Sequence, residues 1–221
     1  MRVRRAGGVK KNQSMNEGVG KMGRTVEFFF DFGSPAAYLA YTQLGEIARS
    51  CGARIVWRPM LLGGVHKASG NVSPITVPAK GRWMMGDLQK WAQRYGVPFR
   101  MNPNFPINTI ALMRGAVGVQ RKMPDDFPKY VDAMYKAMWV DGKNLGEPAE
   151  VAAVLEQAGL DADGIFKLVG EQEIKDELKA NSDEAVARGV FGAPTFFVGD
   201  EMFFGQDRLV FVAEALESQP E

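Results

Sequence analysis

The 221-residue sequence is poor in the residues that support redox and metal chemistry. It contains one cysteine, Cys51, and one histidine, His66. A single cysteine cannot form a disulfide within the chain, and one cysteine with one histidine are too few for a zinc or copper site. We therefore expect no metal. Because so little cysteine is typical of a reducing compartment, we expect a cytoplasmic protein.

The sequence also lacks an excess of either charge and lacks long apolar runs. Lys and Arg number 27 and Asp and Glu number 26, which leaves a formal net charge of +1. A chain without a strong overall field is not expected to bind nucleic acid or an acidic membrane surface. No run approaches the roughly 18 apolar residues of a membrane-spanning helix. The expected partners are small molecules or other copies of the chain.

Residues 1–24 are basic and glycine-rich, and they lack the apolar stretch of a secretory signal. We interpret this segment as a disordered N-terminal tail or extension. A mitochondrial presequence is the alternative, since the first acidic residue is Glu17, but the amphipathic periodicity is poor.

What is present favours an ordinary globular fold, because 46% hydrophobic residues are enough to fill a core. The run TVEFFFDF, residues 25–32, is short and apolar, which is typical of a buried strand. Apolar residues then recur at helical spacing over residues 35–51, and Gly52 ends that pattern. ARIVWRPM, residues 53–60, predicts a second strand. The order β-α-β indicates a parallel crossover.

Helical patterns dominate from about residue 61 to residue 188, and the chain then returns to strands. The segment GAPTFFVGDEMFFG predicts a hairpin that turns at Gly199 and Asp200. A last amphipathic helix is predicted over residues 207–217. Five aromatic or Met side chains are expected mainly in the core of the helical block: Trp83, Met84, Trp91, Phe105 and Trp139.

Together these elements predict an α/β protein with a thioredoxin-like fold and a large all-helical insertion. The thioredoxin-like domain would comprise residues 25–62 and 186–221, and the inserted helical domain residues 63–185. This plan places a reactive residue where the first strand meets the first helix, and a proline at the start of the third strand. Ser34 and Pro194 stand in these places, and we expect a cis bond before Pro194.

With these residues in view, the chain resembles the family of 2-hydroxychromene-2-carboxylate isomerases and kappa-class glutathione transferases. The resemblance runs from residue 25 to about residue 216. It is carried, in order, by FFFDFGSPAAYLA, GGVHKASGN, VPAKGRWMMGDL, FPINTIALMR, GVFGAPTFFV and FFGQDRL. It implies a glutathione-dependent enzyme that acts on a small aromatic substrate, and it is compatible with a homodimer.

The resemblance implies roles for individual residues. Ser34 would be catalytic. Glutathione would contact Ser34, Pro35, Ala36, Asn71, Ala193, Gln206 and Asp207, and substrate would contact Lys67, Lys80, Trp83 and Phe105. The common Ser-Pro-Tyr of the family ends here in Ala36, which removes an aromatic ring beside the serine.

Each assignment has a simpler alternative. A serine before a proline is a preferred helix N-cap, so Ser34 can be structural. Asp207 can cap the last helix, and Asn71, Lys67 and Lys80 can be solvated loop residues. Cys51 falls on an apolar helix face and is expected to be buried and inert.

Two other chemistries are disfavoured by position. Ala37 stands where a Cys-x-x-Cys oxidoreductase has its second thiol, and Cys51 lies 17 residues after Ser34. A serine hydrolase would need His66 as its base, and FGSPA lacks the second glycine of a nucleophile elbow. His66 lies in LLGGVHKASGN, which we interpret as a glycine-rich connection, and we expect it on the surface or at the rim of a cleft.

Three functions remain open at this stage. The preferred one is a glutathione-dependent isomerase that converts a 2-hydroxychromene-2-carboxylate-type substrate into a trans-o-hydroxybenzylidenepyruvate-type product by reversible thiolate addition. The second is a kappa-class transferase, which would keep glutathione in the product. The third is a thioredoxin-like binding protein without catalysis.

Overall fold

We analysed a computed structural model, which describes residues 23–219. The predicted N-terminal tail, apart from its last two residues, lies outside the described residues. Within the described part of the chain, no helix is long and apolar enough to cross a membrane.

A four-stranded sheet joins the beginning of the chain to its end. Its strands are β1 (Thr25–Phe30), β2 (Arg54–Pro59), β3 (Thr195–Val198) and β4 (Glu201–Phe204), in the order β2-β1-β3-β4. β1 pairs in parallel with β2, and β3 is antiparallel to both β1 and β4. The predicted parallel β-α-β unit and the hairpin at Gly199 and Asp200 are therefore confirmed.

Nine helices make up most of the rest of the described chain. They are α1 (Pro35–Ser50), α2 (Leu62–Ser69), α3 (Pro78–Tyr95), α4 (Ile110–Lys122), α5 (Phe127–Trp139), α6 (Pro148–Gln157), α7 (Ala162–Gly170), α8 (Gln172–Ala187) and α9 (Leu209–Ser218). A single 3-10 turn, Gln206–Arg208, leads into α9. The α/β fold with a helical block between the two sheet-forming ends is as predicted, while the exact domain boundaries stay a prediction.

The core is centred on the aromatic end of β1. Phe28 stacks on Phe196 of β3 with ring centroids 5.3 Å apart, and Phe32 meets Tyr135 of α5 edge-on at 4.9 Å. The indole Nε1 of Trp139 donates to the carbonyl oxygen of Phe32 at 2.8 Å. Stacked and edge-to-face rings add to the burial energy, so this contact fixes the end of β1 against the helical block.

The segment LLGGVHKASGN is a helix, α2, and not the glycine-rich connection that its sequence indicates. Two glycines weaken a helix by roughly 1 kcal/mol each, and Leu61 at the N-cap gives no side-chain bond. The missing cap comes from elsewhere, because the amide of Leu62 donates to Oδ2 of Asp31 at 2.8 Å. Gly70, with φ of 73°, ends the helix in the left-handed conformation.

The aromatic residues of the helical block differ in burial. Trp139 is fully buried, and Met84, Trp91 and Phe105 pack partly against the core. Trp83 is 68% exposed, so the expectation that it belongs to the core is wrong. Its position on the outer side of α3 leaves its ring available to a ligand or another chain.

Candidate active site

Ser34 lies between the end of β1 and the first turn of α1, and its hydroxyl group makes two hydrogen bonds. Its Oγ accepts from the amide of Ala37 at 3.1 Å, which makes Ser34 the N-cap of α1. The same hydroxyl donates to the carbonyl oxygen of Ala193 at 2.8 Å. The serine is 4% exposed. The predicted capping role is therefore present, together with a direct link to the loop before β3.

The first turn of α1 offers one further donor next to Ser34. Pro35 has no N–H, and the amides of Ala37 and Tyr38 bond to the side chain and the carbonyl oxygen of Ser34. Among residues 23–219, the amide of Ala36 has no hydrogen-bond partner. The amide points from the positive end of the helix dipole, where an anion is stabilised.

The loop of residues 191–195 brings together three segments that the sequence predicts to bind glutathione. The carbonyl oxygen of Phe191 accepts from Nδ2 of Asn71 at 2.8 Å, and that of Ala193 accepts from Ser34. The carbonyl oxygen of Pro194 accepts from the amide of Gly205 at 3.0 Å, directly before Gln206 and Asp207. The Ala193–Pro194 bond is cis, as predicted. The loop therefore gathers Ser34, Asn71 and the start of the last helix.

The turn before α9 holds an acidic side chain beside a buried one. Gln206 is 8% exposed, and its carbonyl oxygen accepts from the hydroxyl of Tyr95 at 2.7 Å. Burial, together with the negative charge of Asp207, raises the pKa of Tyr95 to about 12. Asp207 itself pairs with Arg208 at 2.6 Å. The N-cap of α9 is Arg208, and Asp207 makes no capping bond, so the capping interpretation of Asp207 is not supported.

Asp31 is a buried residue of the site that the sequence analysis did not single out. It is 1% exposed, and its carboxylate accepts from the amides of Gly33 and Leu62, each at 2.8 Å. The Thr109 side chain approaches the same turn, 3.2 Å from where a Cβ on Gly33 would lie. Asp31 thus joins the turn that carries Ser34 to the start of α2.

Burial raises the pKa of Asp31, and hydrogen bonds from Gly33, Leu62 and Thr109 oppose that shift. Desolvation of the charged form is the larger effect. One signal in the sequence could have identified this residue. Asp31 is the only charged residue in the apolar run FFFDF, and a charge in a buried strand end requires dedicated partners.

The predicted substrate contacts are not gathered at the loop of residues 191–195. Lys67 on α2 and Lys80 on α3 are exposed, as is Trp83. Phe105 packs against Trp139 with centroids 5.6 Å apart. Asn71, a predicted glutathione contact, already uses both polar groups of its side chain within the protein. Its Nδ2 donates to the carbonyl oxygen of Phe191, and its Oδ1 accepts from the amide of Val72 at 2.9 Å.

Within residues 23–219, neither the single cysteine nor the single histidine forms a hydrogen bond with Ser34. Cys51 is 4% exposed at the C-cap of α1, and it packs in the core as expected. His66 is half-buried in the last turn of α2, and burial lowers its pKa. No hydrogen bond between His66 and Ser34 is present in the described chain.

Comparisons with known proteins agree with this architecture. A family described as "DsbA-like thioredoxin domain" matches residues 25–217. The chain is 34% identical over 197 residues to the 2-hydroxychromene-2-carboxylate isomerase of Sphingobium xenophagum, which covers 88% of this chain and 99% of that protein. It is 27% identical over 210 residues to glutathione S-transferase kappa 1 of Homo sapiens, covering 90% and 93%.

A solved structure of 2-hydroxychromene-2-carboxylate isomerase is also similar. Its TM-score is 0.78 at 31% identity, with 87% of this chain and 94% of that chain covered. The predicted resemblance is therefore confirmed over nearly the whole fold. The chain belongs to the DsbA-like thioredoxin family, among its enzymes related to 2-hydroxychromene-2-carboxylate isomerase.

Proposed function

We propose that this protein is a glutathione-dependent isomerase that converts 2-hydroxychromene-2-carboxylate-type substrates into trans-o-hydroxybenzylidenepyruvate-type products. The observation that carries the proposal is the position of Ser34. Its hydroxyl lies at the positive end of α1 and touches the Ala193 carbonyl at 2.8 Å, where a dithiol enzyme of this fold would need a cysteine.

The residues present fit a tripeptide thiol. The amide of Ala193 has no hydrogen-bond partner among residues 23–219 and is suited to pair with the backbone of an extended peptide. The carboxylate of Asp207 suits an ammonium group such as that of the γ-glutamyl end. When bound, glutathione would supply the sulfur for reversible addition to the conjugated substrate, which makes a double bond rotatable.

The hydrogen-bond donors at the start of α1 could stabilise the thiolate of glutathione. The Ser34 hydroxyl can turn its hydrogen from the Ala193 carbonyl towards a thiolate, and the Ala36 amide can donate to the same anion. A fixed donor and a helix N-terminus favour the ionised thiol, whose ordinary pKa is about 8.5. Ser34 therefore stabilises charge and does not itself attack the substrate.

We place the substrate contacts at Lys67, Lys80, Trp83 and Phe105 as part of this proposal. Exposed lysines on α2 and α3 suit a carboxylate that arrives from solvent, and the exposed Trp83 ring suits an aromatic body. The proposal includes a cytoplasmic location, where glutathione is reduced. A homodimer is compatible with it.

A kappa-class transferase is the second candidate, favoured by the 27% identity to human glutathione S-transferase kappa 1. The two activities differ in what happens to glutathione. Purified protein would be given substrate with a limiting amount of glutathione, and free thiol and product would be measured together. Many turnovers per glutathione support the isomerase, whereas one thiol lost per product supports the transferase.

Calorimetric titration tests glutathione binding, which both the isomerase and the transferase require. Binding in the micromolar to millimolar range is expected for either enzyme. The absence of any glutathione binding would reject both and leave a thioredoxin-like binding protein.

A further inference from the structure

A groove of about 220 Å³ lies between α2, α4 and α8. We name it the three-helix groove. Its apolar surface comes from Leu61, Ala68, Ile110, Leu178 and Val186. None of the residues assigned above to glutathione or substrate lines it. The three-helix groove is therefore distinct from the proposed active site.

The three-helix groove has two cations that no carboxylate neutralises. Arg114 of α4 and Lys175 of α8 are both half-buried and line it. In the described chain neither has a carboxylate oxygen within 4.0 Å, although α8 is rich in acids that pair with other cations. The acid that lines the groove, Asp183, pairs with Lys179. Neither cation is among the described side chains with buried, unpartnered nitrogens, so their charged groups reach solvent and can pair with an anion that enters the groove.

The polar groups of the floor are already satisfied. The Ser182 hydroxyl accepts from the amide of Leu61 at 2.9 Å and donates to the carbonyl oxygen of Leu178 at 2.8 Å. The floor therefore offers an apolar surface, and specific polar recognition falls to Arg114 and Lys175. A volume of 220 Å³ lies below the roughly 300 to 1,000 Å³ of pockets for drug-sized molecules.

From this geometry we propose that the three-helix groove binds a small aromatic or other compact apolar carboxylate. The apolar body would lie on Leu61, Ile110 and Leu178, and the carboxylate would face Arg114 and Lys175. Arginine and lysine hold carboxylates by charge-assisted hydrogen bonds. The binding is separate from Ser34 and does not require glutathione.

The groove is lined by residues that neighbour the supports of the active-site turn. Leu61 precedes Leu62, whose amide bonds to Asp31, and Ile110 follows Thr109, which packs on Gly33. A ligand on Leu61 and Ile110 therefore contacts residues adjacent to both supports of the Ser34 turn.

The test uses 1-naphthoate as the probe and calorimetry on the full chain. Arg114→Gln and Lys175→Gln should each weaken binding about 10- to 100-fold, since each removes a charge-assisted contact. The lysine control is Lys167→Gln on α7, an exposed lysine outside the groove, which should bind within twofold of wild type. The neutral isostere 1-naphthamide should bind at least about tenfold more weakly than 1-naphthoate.

Two adjacent glycines provide a control for shape. Gly64 lines the groove, whereas Gly63 does not, and both are exposed in α2 with room for a side chain. Gly64→Leu should abolish 1-naphthoate binding, and Gly63→Leu should leave it unchanged. Ser34→Ala should also bind normally, which separates this site from the proposed active site.

Four results would overturn the proposal. Three of them are no binding of 1-naphthoate to wild type at millimolar concentration, wild-type affinity in Gly64→Leu, and equal affinity for 1-naphthamide. Loss of binding in Ser34→Ala would also overturn it, because the probe would then occupy the active site. Melting curves of each variant show whether it is folded.

Discussion

At the scale of single residues, the Ser34 hydroxyl combines a structural and a chemical position. Its oxygen accepts from the Ala37 amide, while its hydrogen is donated to the Ala193 carbonyl oxygen. A hydroxyl can rotate its hydrogen without moving its oxygen. Ser34 can therefore keep its capping bond and still donate to a new anion, so capping and catalysis are compatible roles for one side chain.

Replacing Ser34 tests the chemical role. Ser34→Ala removes one preorganised donor, and we expect turnover at saturating glutathione to fall about 10²-fold, or roughly 2.7 kcal/mol. The lost cap should cost about 1 kcal/mol of folding stability. Ser34→Gly is the matched variant, because glycine is a better N-cap than alanine but supplies no donor. Similar activity losses in both variants, with a smaller stability loss in Ser34→Gly, support catalysis; unchanged turnover contradicts it.

Replacing Asp207 tests glutathione binding separately from turnover. Asp207→Ala removes a charge-assisted contact of about 1.5 to 3 kcal/mol, so the glutathione Kd should rise roughly 10- to 100-fold. Turnover at saturating glutathione should change much less than in Ser34→Ala, since the contact is equal in ground and transition states. Calorimetry and steady-state kinetics measure the two quantities.

Asp200→Ala, an exposed acid in the β3–β4 turn, controls for the loss of one negative charge. It should leave the Kd unchanged. Asp207 caps no helix here, so little change in melting temperature is expected. An unchanged Kd with a lowered melting temperature in Asp207→Ala would reject the binding role.

Replacing the buried Asp31 should change the folding stability by an amount that depends on pH. Asn at this position can accept from one amide but turns a donor towards the other, so Asp31→Asn should cost about 1 to 3 kcal/mol. Burial raises the native pKa of Asp31 above the ordinary 3.8, so the folded protein binds this proton more tightly than the unfolded chain. Wild-type stability should therefore decrease relative to Asp31→Asn as the pH rises above 3.8.

Urea unfolding of both proteins between pH 3.5 and pH 7 measures this difference. The stability gap should be widest at the acidic end and narrow towards neutral pH. A gap that widens as the pH rises would show that the amide hydrogen bonds outweigh burial at Asp31.

At the scale of elements, the sequence predicted those helices and strands whose boundaries are set locally. Pro35 and Gly52 bracket α1, and the Gly199–Asp200 turn defines the hairpin, so both were found within one or two residues. α2 was missed because its cap, Asp31, comes from 31 residues earlier in the chain. α7 and α8 were absorbed into a general helical block, since only Glu171, a single residue with an extended backbone, separates them.

The close packing of α4 against α5 leads to a prediction at the scale of elements. A Cβ on Gly115 of α4 would lie 2.9 Å from Cζ of Tyr130, a buried ring whose hydroxyl bonds to Leu112. Gly115→Ala should therefore destabilise the fold by about 1 to 3 kcal/mol. Gly45 of α1 has nothing within 4 Å of its Cβ position, so Gly45→Ala should stabilise by about 0.4 to 1 kcal/mol.

The two variants carry the same chemical change in helix interiors. Thermal or urea unfolding of both should therefore give shifts of opposite sign. Two stabilising shifts would mean that Tyr130 moves aside and that the α4–α5 contact is loosely packed.

At the scale of the whole molecule, the candidate site is assembled from both ends of the fold. Ser34 follows the first strand, whereas Ala193 and Asp207 flank the third and fourth. The sequence indicated these positions because the predicted fold places them directly before or after its strands and helices. Long-range partners such as Asp31 with Leu62, and Tyr95 with Gln206, depend on tertiary packing that no local pattern records.

The fold as a whole also predicts what a thiol at position 34 cannot do. Ser34→Cys would place a thiolate at the positive end of α1, which lowers its pKa and makes it reactive. Disulfide transfer to a substrate needs a second thiol nearby, but position 37 is Ala37, and Cys51 is buried at the other end of α1. We therefore expect Ser34→Cys to attack oxidised glutathione, forming a mixed disulfide and releasing one reduced glutathione, without efficiently catalysing oxidative refolding of a reduced protein. Ser34→Cys/Ala37→Cys, which restores both thiols at the spacing of dithiol enzymes, is the comparison variant and should refold the reduced protein faster. Efficient oxidation by the single variant would contradict the positional argument.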